Sequence, residues 1–519
     1  MRRCLFGEGY GRWRTCRCCG RQLAFRTADQ PPDRCIIVDR CSSVNIYLKM
    51  EIKARELEGR LLLGMVAAER GHTVLLGEMR PVVRDASEVP PGVYHDTSLY
   101  PGTGQLRLRD NLIERGWMVT SQDEEHGLLE PTYDNYARKR YSSHTMSQAA
   151  RVFTWGPHDS DALSRSYPEY APRVEAVGSP RIDLCDRRLD GFFRGRQKPG
   201  LDPARPYVLF ANNFTRVIGV NRIHTFVRHM RWRDYFEGDD DAFEFLQYEE
   251  AAAQMDFLPH MIRAIRCVAS HHPELTVVVR PHPQETEEAW RDLIGEVPNV
   301  LVSAAGEIGR WVRSAQAVIQ SGDTTAFEAT VAGVPLITFA PMSSGHHWGD
   351  RYANRFGLRA ESVEEVLLRL SEILYGQRDY DTVLDRDRRL LRERIRFDPE
   401  ELASERIVAA WEAASAGRDL PHSEPDEIIR SSRRARSWWR AREVARPLTS
   451  KVRRVGGAAL PGSGDSRTPY LTAQKFPPIT RGELDELAAG YRASFDRFHS
   501  VQVARLGPRL VCLSLEGSD

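Results

Sequence analysis

Residues 317–341, AVIQSGDTTAFEATVAGVPLITFAP, constrain the fold of this chain more than any other stretch. The apolar run Ala317–Gln320 reads as a strand, Ser321-Gly322-Asp323-Thr324-Thr325 as a turn, and the following residues as a helix reaching about Gly333. A second apolar run, 336–340, stops at Pro341. Strand, turn, helix and strand make one βαβ unit, and such units build parallel sheets that bind ligands at the strand C-termini. Gly322 permits close backbone approach, and Ser321, Thr324 and Thr325 supply hydroxyls. The first amides of the helix lack intrahelical acceptors, which favours an anion such as a phosphate. Thr325 and Glu328 have the spacing of a capping box, so Glu328 reads either as a cap or as a ribose ligand.

A length of 519 residues implies two or three domains with ample core. The formal charge of +1, with 28% charged residues, gives no overall attraction to nucleic acid. Met1-Arg2-Arg3 is not followed by the apolar run of a secretory signal, and no uncharged stretch is free enough of Gly and Pro to span a bilayer. A soluble cytoplasmic protein is the expectation. Residues 1–34 crowd Cys4, Cys16, Cys18 and Cys19 among arginines without the paired C-x-x-C units of a zinc site. They read as a disordered leader or a misassigned start.

From residue 35 the pattern becomes periodic. Strands are expected at 44–48, Thr73–Gly77, 92–95, 118–121 and 152–155. A helix over 54–70 places Leu57, Leu61, Met65 and Ala68 on one face. A second α/β region starts with the strand at 207–210. It continues through an insertion at 217–256, whose acidic tract 237–241 reads as a solvated loop, to a helix at 258–270. Strands at 275–280 and 300–303 then lead into the βαβ unit. The class is α/β, with two doubly wound Rossmann-like domains facing a cleft, residues 35–200 and 201–420, an arrangement that suits a two-substrate transferase, an epimerase or a periplasmic-type binder alike. Residues 421–519 form a basic linker and a C-terminal helical segment.

Three groups of residues could carry chemistry. Ser121-Gln122-Asp123-Glu124-Glu125-His126-Gly127 follows a predicted strand, where desolvated carboxylates can be raised in pKa and act as a general base. A solvated acidic turn explains the same residues. Arg280-Pro281-His282-Pro283 holds His282 at a sheet edge, where an imidazolium can bind or protonate a phosphate oxygen. Residues 49–56, KMEIKARE, bring Glu51 and Arg55 to the start of the first helix, facing the cleft or simply matching the helix dipole.

The order of these motifs resembles that of GT-B glycosyltransferases that use CMP-activated sugars, including bacterial sialyltransferases and capsular Kdo transferases. EIKARELEGRLLLGMVAAERGHTVLLG, DEEHG, FTWGP, GSPR, RPHP and SGDTTAFEATVAGVP together resemble the bacterial surface carbohydrate biosynthesis protein family over roughly residues 40–375. CDP-glycerol glycerophosphotransferases share GSPR, HP and the hydroxyl-rich turn. The resemblance implies that Asp123 or Glu124 is the base, with Glu125 still in play because three acids and a His precede Gly127. It implies that His282 contacts the donor phosphate, that Ser321, Thr324 and Thr325 cradle it, and that no metal or other cofactor is needed. Arg280, Gly322 and Glu328 would line the same donor site.

Residues 430–454 hold ten basic residues against Glu443, with Trp438 and Trp439 adjacent, a composition suited to the headgroups of an anionic membrane. The expected activity is transfer of a sugar from a nucleotide donor, CMP foremost, to a glycan or lipid-linked acceptor of a surface polysaccharide such as capsule, at the inner face of the membrane. The alternatives are a CDP-glycerol-type polyol-phosphate transferase, a non-catalytic assembly protein of the same fold, and a nucleotide-sugar 2-epimerase.

Overall fold

The computed structural model describes residues 43–83, 89–124, 136–137, 140–219, 240–341, 351–398, 400–421, 423–432 and 475–516, single positions 223, 227 and 434, and two short antiparallel strands at Trp13–Thr15 and Gln22–Ala24. The first region runs β1 (Asn45–Lys49), α1 (Lys53–Glu69), β2 (Thr73–Gly77), β3 (Val93–Asp96), α2 (Thr103–Glu114) and β4 (Met118–Gln122). It continues with α3 (Ser143–Gln148), β5 (Arg151–Thr154), α4 (Pro157–Ser166), β6 (Val174–Ala176), α5 (Pro180–Asp183) and α6 (Asp190–Gly195).

The second region runs β7 (Tyr207–Ala211), α7 (Asp240–His271), β8 (Thr276–Arg280), α8 (Glu287–Ile294), β9 (Val300–Val302) and α9 (Ile308–Val312). Then follow β10 (Ala317–Gln320), α10 (Thr325–Ala332), β11 (Leu336–Phe339), β12 (Leu358–Ala360), α11 (Val363–Leu374) and α12 (Tyr380–Arg394). The chain continues through α13 (Ala403–Ser415), α14 (Arg481–Phe495), β13 (Val501–Gly507) and β14 (Leu510–Leu515).

Two sheets result. The second has the order β9-β8-β7-β10-β11-β12 and is parallel throughout. Its strands β7, β8 and β10 are buried along their whole length, as expected of a sheet covered by helices on both faces. The first has the order β13-β14-β2-β1-β3-β4-β5-β6; β1 to β6 are parallel, and the C-terminal hairpin adds two antiparallel strands to the β2 edge. Strand order reverses between β7 and β10 in one sheet and between β1 and β3 in the other. Crevices at such reversal points are where open α/β sheets bind ligands.

Helix α1 has the expected apolar face, yet it is buried continuously from Glu56 to Ala68. The cause lies far away in sequence. Helix α13 crosses back onto the first region, so that Ile407, Val408 and Trp411 share a core with Leu57, Leu61 and Met65, and α14 adds Leu484, Leu487 and Tyr491. Asp183, just after GSPR, caps α13 through the amides of Ala403 (2.7 Å) and Ser404 (2.8 Å), and burial lifts its pKa to about 6. Burying an aromatic such as Trp411 in this way contributes about 3–5 kcal/mol relative to Ala.

Several sequence expectations need correction. Helix α7 begins at Asp240 and not at 258, so the end of the acidic tract opens a helix, where carboxylates favour the dipole. Pro259 lies inside that helix and does not mark its start. The C-terminal segment is a helix followed by a hairpin, not helical alone. Most of the 1–34 leader, Glu125 and nearly all of 430–454 lie outside the described residues. Among the described residues, no helix is long and apolar enough to cross a membrane, and no group of three or more His, Cys, Asp or Glu is placed to hold a metal ion.

Candidate active site

The candidate residues leave the C-terminal ends of β1, β4, β8 and β10. At β1, the Glu56 carboxylate accepts the amides of Glu51 (2.8 Å) and Ile52 (3.1 Å), closing the start of α1. Arg55 sits 3.4 Å from the same carboxylate. Glu51 is half-exposed and lies 2.9 Å from Lys49, whose charge lowers the Glu51 pKa to about 2. Lys49 also meets Asp96 at 2.7 Å, and the other Asp96 oxygen meets Arg109 at 3.2 Å. Burial opposes the Lys49 charge, but Asp96 and Glu51 outweigh it and hold its pKa above the usual lysine value. Arg109 is fixed by the Gln148 amide oxygen (2.8 Å) and the Tyr100 carbonyl (2.9 Å).

At β4, Asp123 and Glu124 are both buried. Arg140 holds Asp123 by a two-pronged pair, Nε to Oδ2 at 2.9 Å and Nη2 to Oδ1 at 3.0 Å. Glu124 places Oε1 2.7 Å from Nη2 of Arg60, a buried guanidinium on α1, while among the described residues its Oε2 has no hydrogen-bond partner. These carboxylates are therefore not a solvated turn. Each carboxylate has an arginine beside it in place of bulk water.

At β8, Arg280 donates to the carbonyls of Ser303 (2.6 Å), Ala305 (2.9 Å) and Gly306 (2.8 Å), and its guanidinium covers the Trp311 ring. Burial lowers its pKa to about 10. Its two Nη atoms thus fasten the loop after β9, a role that the expectation of substrate binding did not include. His282 accepts the Gln284 amide at Nδ1 (3.2 Å), so a neutral ring carries its proton on Nε2. Glu285, which sequence reasoning missed, anchors this loop: it accepts from Phe214 N (2.6 Å), His282 N (3.0 Å) and Trp290 Nε1 (2.7 Å). Burial raises its pKa to about 7 despite those donors.

At β10, the turn is organised from within. Gly322 has φ +60°, its amide donates to Asn354 Oδ1 (2.7 Å), and a Cβ there would stand 2.5 Å from Cδ of Arg351. Asp323 N donates to Gln320 Oε1 (2.9 Å), and the Thr325 amide (2.8 Å) and hydroxyl both donate to Asp323 Oδ1. The amides expected to face an anion thus have side-chain partners in this state. Ser321 is fully buried and Thr324 is the residue before α10, without a side-chain cap bond. The capping box does not form. Glu328 instead pairs with Arg181 of GSPR at 2.8 Å, joining the two regions, and its buried Oε2 has no hydrogen bond among the described residues.

The two edges are physically linked. Trp155 Nε1 donates to the Asp123 carbonyl (3.1 Å), the Arg181 guanidinium lies 5.5 Å from the Trp155 ring centre, and Arg181 grips Glu328. Arg351 donates to the Gly322 carbonyl (3.2 Å) and pairs with Glu250 of α7 (2.9 Å), so the long helix braces the turn. Arg60, Arg140, Arg181, Asn354 and Arg351 were not foreseen as site residues. Arg60 gave a local signal, a cation inside the apolar run LEGRLLLG, and Arg181 stood in the GSPR motif.

No family model matches the chain, and no curated protein matches it in sequence. Among solved structures it is similar to a UDP-N-acetylglucosamine 2-epimerase of Listeria monocytogenes, with TM-score 0.44 and 12% identity over 74% of this chain and 99% of that one. A CDPG-soaked variant of the wall teichoic acid polymerase TagF gives TM-score 0.44 and 10% identity over 71% of this chain and 88% of the polymerase. The UDP-GlcNAc 2-epimerase of Neisseria meningitidis bound to UDP-GlcNAc gives 0.39 and 12% over 71% and 99%. Scores and identities of this size carry no function from one protein to the other.

Proposed function

We propose that the protein is a GT-B glycosyltransferase of cell-surface polysaccharide biosynthesis, transferring a sugar from a nucleotide donor, CMP foremost, to a glycan or lipid-linked acceptor. The observation that carries this reading is the placement of the Ser321 turn at the β7/β10 reversal point, tied through Glu328, Arg181 and Trp155 to the Asp123–Glu124 edge of the other sheet. A transfer enzyme needs such an arrangement, with an anion-holding edge on one side and a proton acceptor on the other.

In this mechanism the donor phosphate sits against His282 and the Ser321 turn. The Nε2–H of His282 donates to a phosphate oxygen, more strongly as charge develops on the leaving nucleotide. Glu124 takes the acceptor proton. Arg140 holds both oxygens of Asp123, whereas Glu124 gives one oxygen to Arg60 and, among the described residues, has no hydrogen-bond partner for Oε2 and so is the one left open to an acceptor hydroxyl. Contact of 430–454 with an anionic membrane completes the proposal.

The test is thermal unfolding of the full chain with CMP, CDP, UDP and GDP, repeated on His282→Ala. A nucleotide at a hundred times its dissociation constant adds about 2.7 kcal/mol. A shift with CMP that the variant loses is the expected result; a preference for CDP or UDP replaces the donor, and no shift with any nucleotide overturns the reading. One observation favours a second reading, binding without transfer: Asp123 and the turn amides already have internal partners. Polymer synthesis undiminished in Glu124→Gln and Asp123→Asn would select it.

A further inference from the structure

A cavity of about 560 Å³ lies apart from the candidate residues, lined by Phe192, Gly195, Arg196, Gln197, Arg310 and Glu486. Its walls come from α6 and the connector that follows it, from α9, and from α14. This volume is in the range of small-molecule sites. Its charges are unevenly matched. Arg196 is paired twice, with Glu58 at 2.6 Å and Glu486 at 2.9 Å. Among the described residues Arg310 has neither a hydrogen-bond nor a carboxylate partner, and its Nε is buried without one.

The position of Arg310 is set by the backbone. Gly306 has φ +71°, and a Cβ on it would fall 1.0 Å from Nη2 of Arg310, so the guanidinium occupies the space that a side chain would take. Glu307, the nearest acid in sequence, is diverted to cap α9 through the Gly309 amide at 2.6 Å. Burial first, and then the charge of Arg196, lowers the Arg310 pKa; burial, Arg310 and Arg196 lower that of Lys198 as well. Glu58, Glu307 and Glu486 offset part of this for Arg310; burial also opposes the Arg196 charge, but Glu58 and Glu486 outweigh it and raise that pKa. A guanidinium without a hydrogen bond beside an open cavity is a ready partner for an anion. Glu486 and Gln197 in the same wall offer an acceptor and an amide to hydroxyl groups, and Phe192 offers an apolar surface.

We propose that this cavity binds a small hydroxylated anion, a sugar phosphate or a sugar acid, with its anionic group on Arg310 and Arg196 and its hydroxyls on Glu486 and Gln197. Such a ligand touches three separate parts of the chain at once and bridges them.

The experiment is calorimetric titration of the full chain, at constant ionic strength, with glucose 6-phosphate, glucuronate, inorganic phosphate and glucose, on wild type and Arg310→Gln. The expected result is saturable binding of glucose 6-phosphate or glucuronate, none of glucose, and at least tenfold weaker binding by Arg310→Gln. The response of that variant to nucleotide should be unchanged, which separates this site from the cleft. Glucose 6-phosphate alone identifies a phosphate ligand and glucuronate alone a carboxylate. Inorganic phosphate binding as tightly as glucose 6-phosphate overturns the hydroxyl contacts. No saturable binding, or equal binding by Arg310→Gln, overturns the site. Should Arg310→Gln not fold, Gln197→Ala, at an exposed position, must weaken binding of the sugar anion or the assignment fails.

Discussion

The edges of the two sheets solve the same problem differently. At the first, buried charges are paired with buried charges: Lys49 and Arg109 on Asp96, Arg60 on Glu124, Arg140 on Asp123. At the second, side chains serve the backbone: Arg280 satisfies three carbonyls, Glu285 two amides and an indole, and Gln320, Asp323 and Asn354 hold the amides of one turn. Paired charges hold these carboxylates in place where little water reaches, which under the proposed function suits proton transfer. Backbone fastened by neutral or delocalised groups stays in one shape, which suits holding a phosphate. Under the proposed function the two regions then have opposite roles.

The strongest way to break it is at the first edge. Asp96→Ala leaves Lys49 and Arg109 buried without their carboxylate, and removing one partner of a buried pair costs about 3–5 kcal/mol. Chemical denaturation should show that loss. A change below 1 kcal/mol would mean that water already shares the network.

At the second edge the effect is smaller and has a pH signature. Glu285→Gln sets an NH2 group against donors and should cost about 1–3 kcal/mol. The Glu285 pKa rises on folding from 4.5 to about 7, so the folded state binds the proton more tightly. That stabilisation is complete below pH 4.5 and disappears as pH rises through 7. The stability difference between wild type and Glu285→Gln should therefore shrink from pH 4.5 to 7, read from denaturation midpoints. A difference that is flat or grows with pH contradicts the assignment.

Smallest is Gly322→Ala. A left-handed backbone costs an L-residue about 1–2 kcal/mol, and here the new Cβ also meets Arg351. The same substitution should weaken nucleotide binding by distorting the turn. Equal affinity would detach the turn from the donor.

The sequence disclosed the sheets better than the site. Thr73–Gly77 and Ala317–Gln320 have the predicted bounds, because short apolar runs closed by glycine or a small polar turn admit few other structures. Helix α7 was expected only from 258 because the acidic tract read as a solvated loop; it starts at Asp240 and runs through the exposed Pro259. Strand β14 pairs with β2 from the far end of the chain, and nothing local to either predicts that pairing. The arginines fail to show for the same reason. Arg181 and Glu328 are 147 residues apart, so the ion pair exists only once both sheets are folded. Residue types near the cleft were legible, but their partners were not.

Hydrogen exchange of the full chain, with and without saturating CMP, tests the division of roles most directly. Slower exchange at the amides of 282–285 and 321–327, with 51–52 and 123–124 unchanged, is the predicted result. Protection confined to the first sheet's edge, or none at either edge while CMP raises the melting temperature, would contradict it.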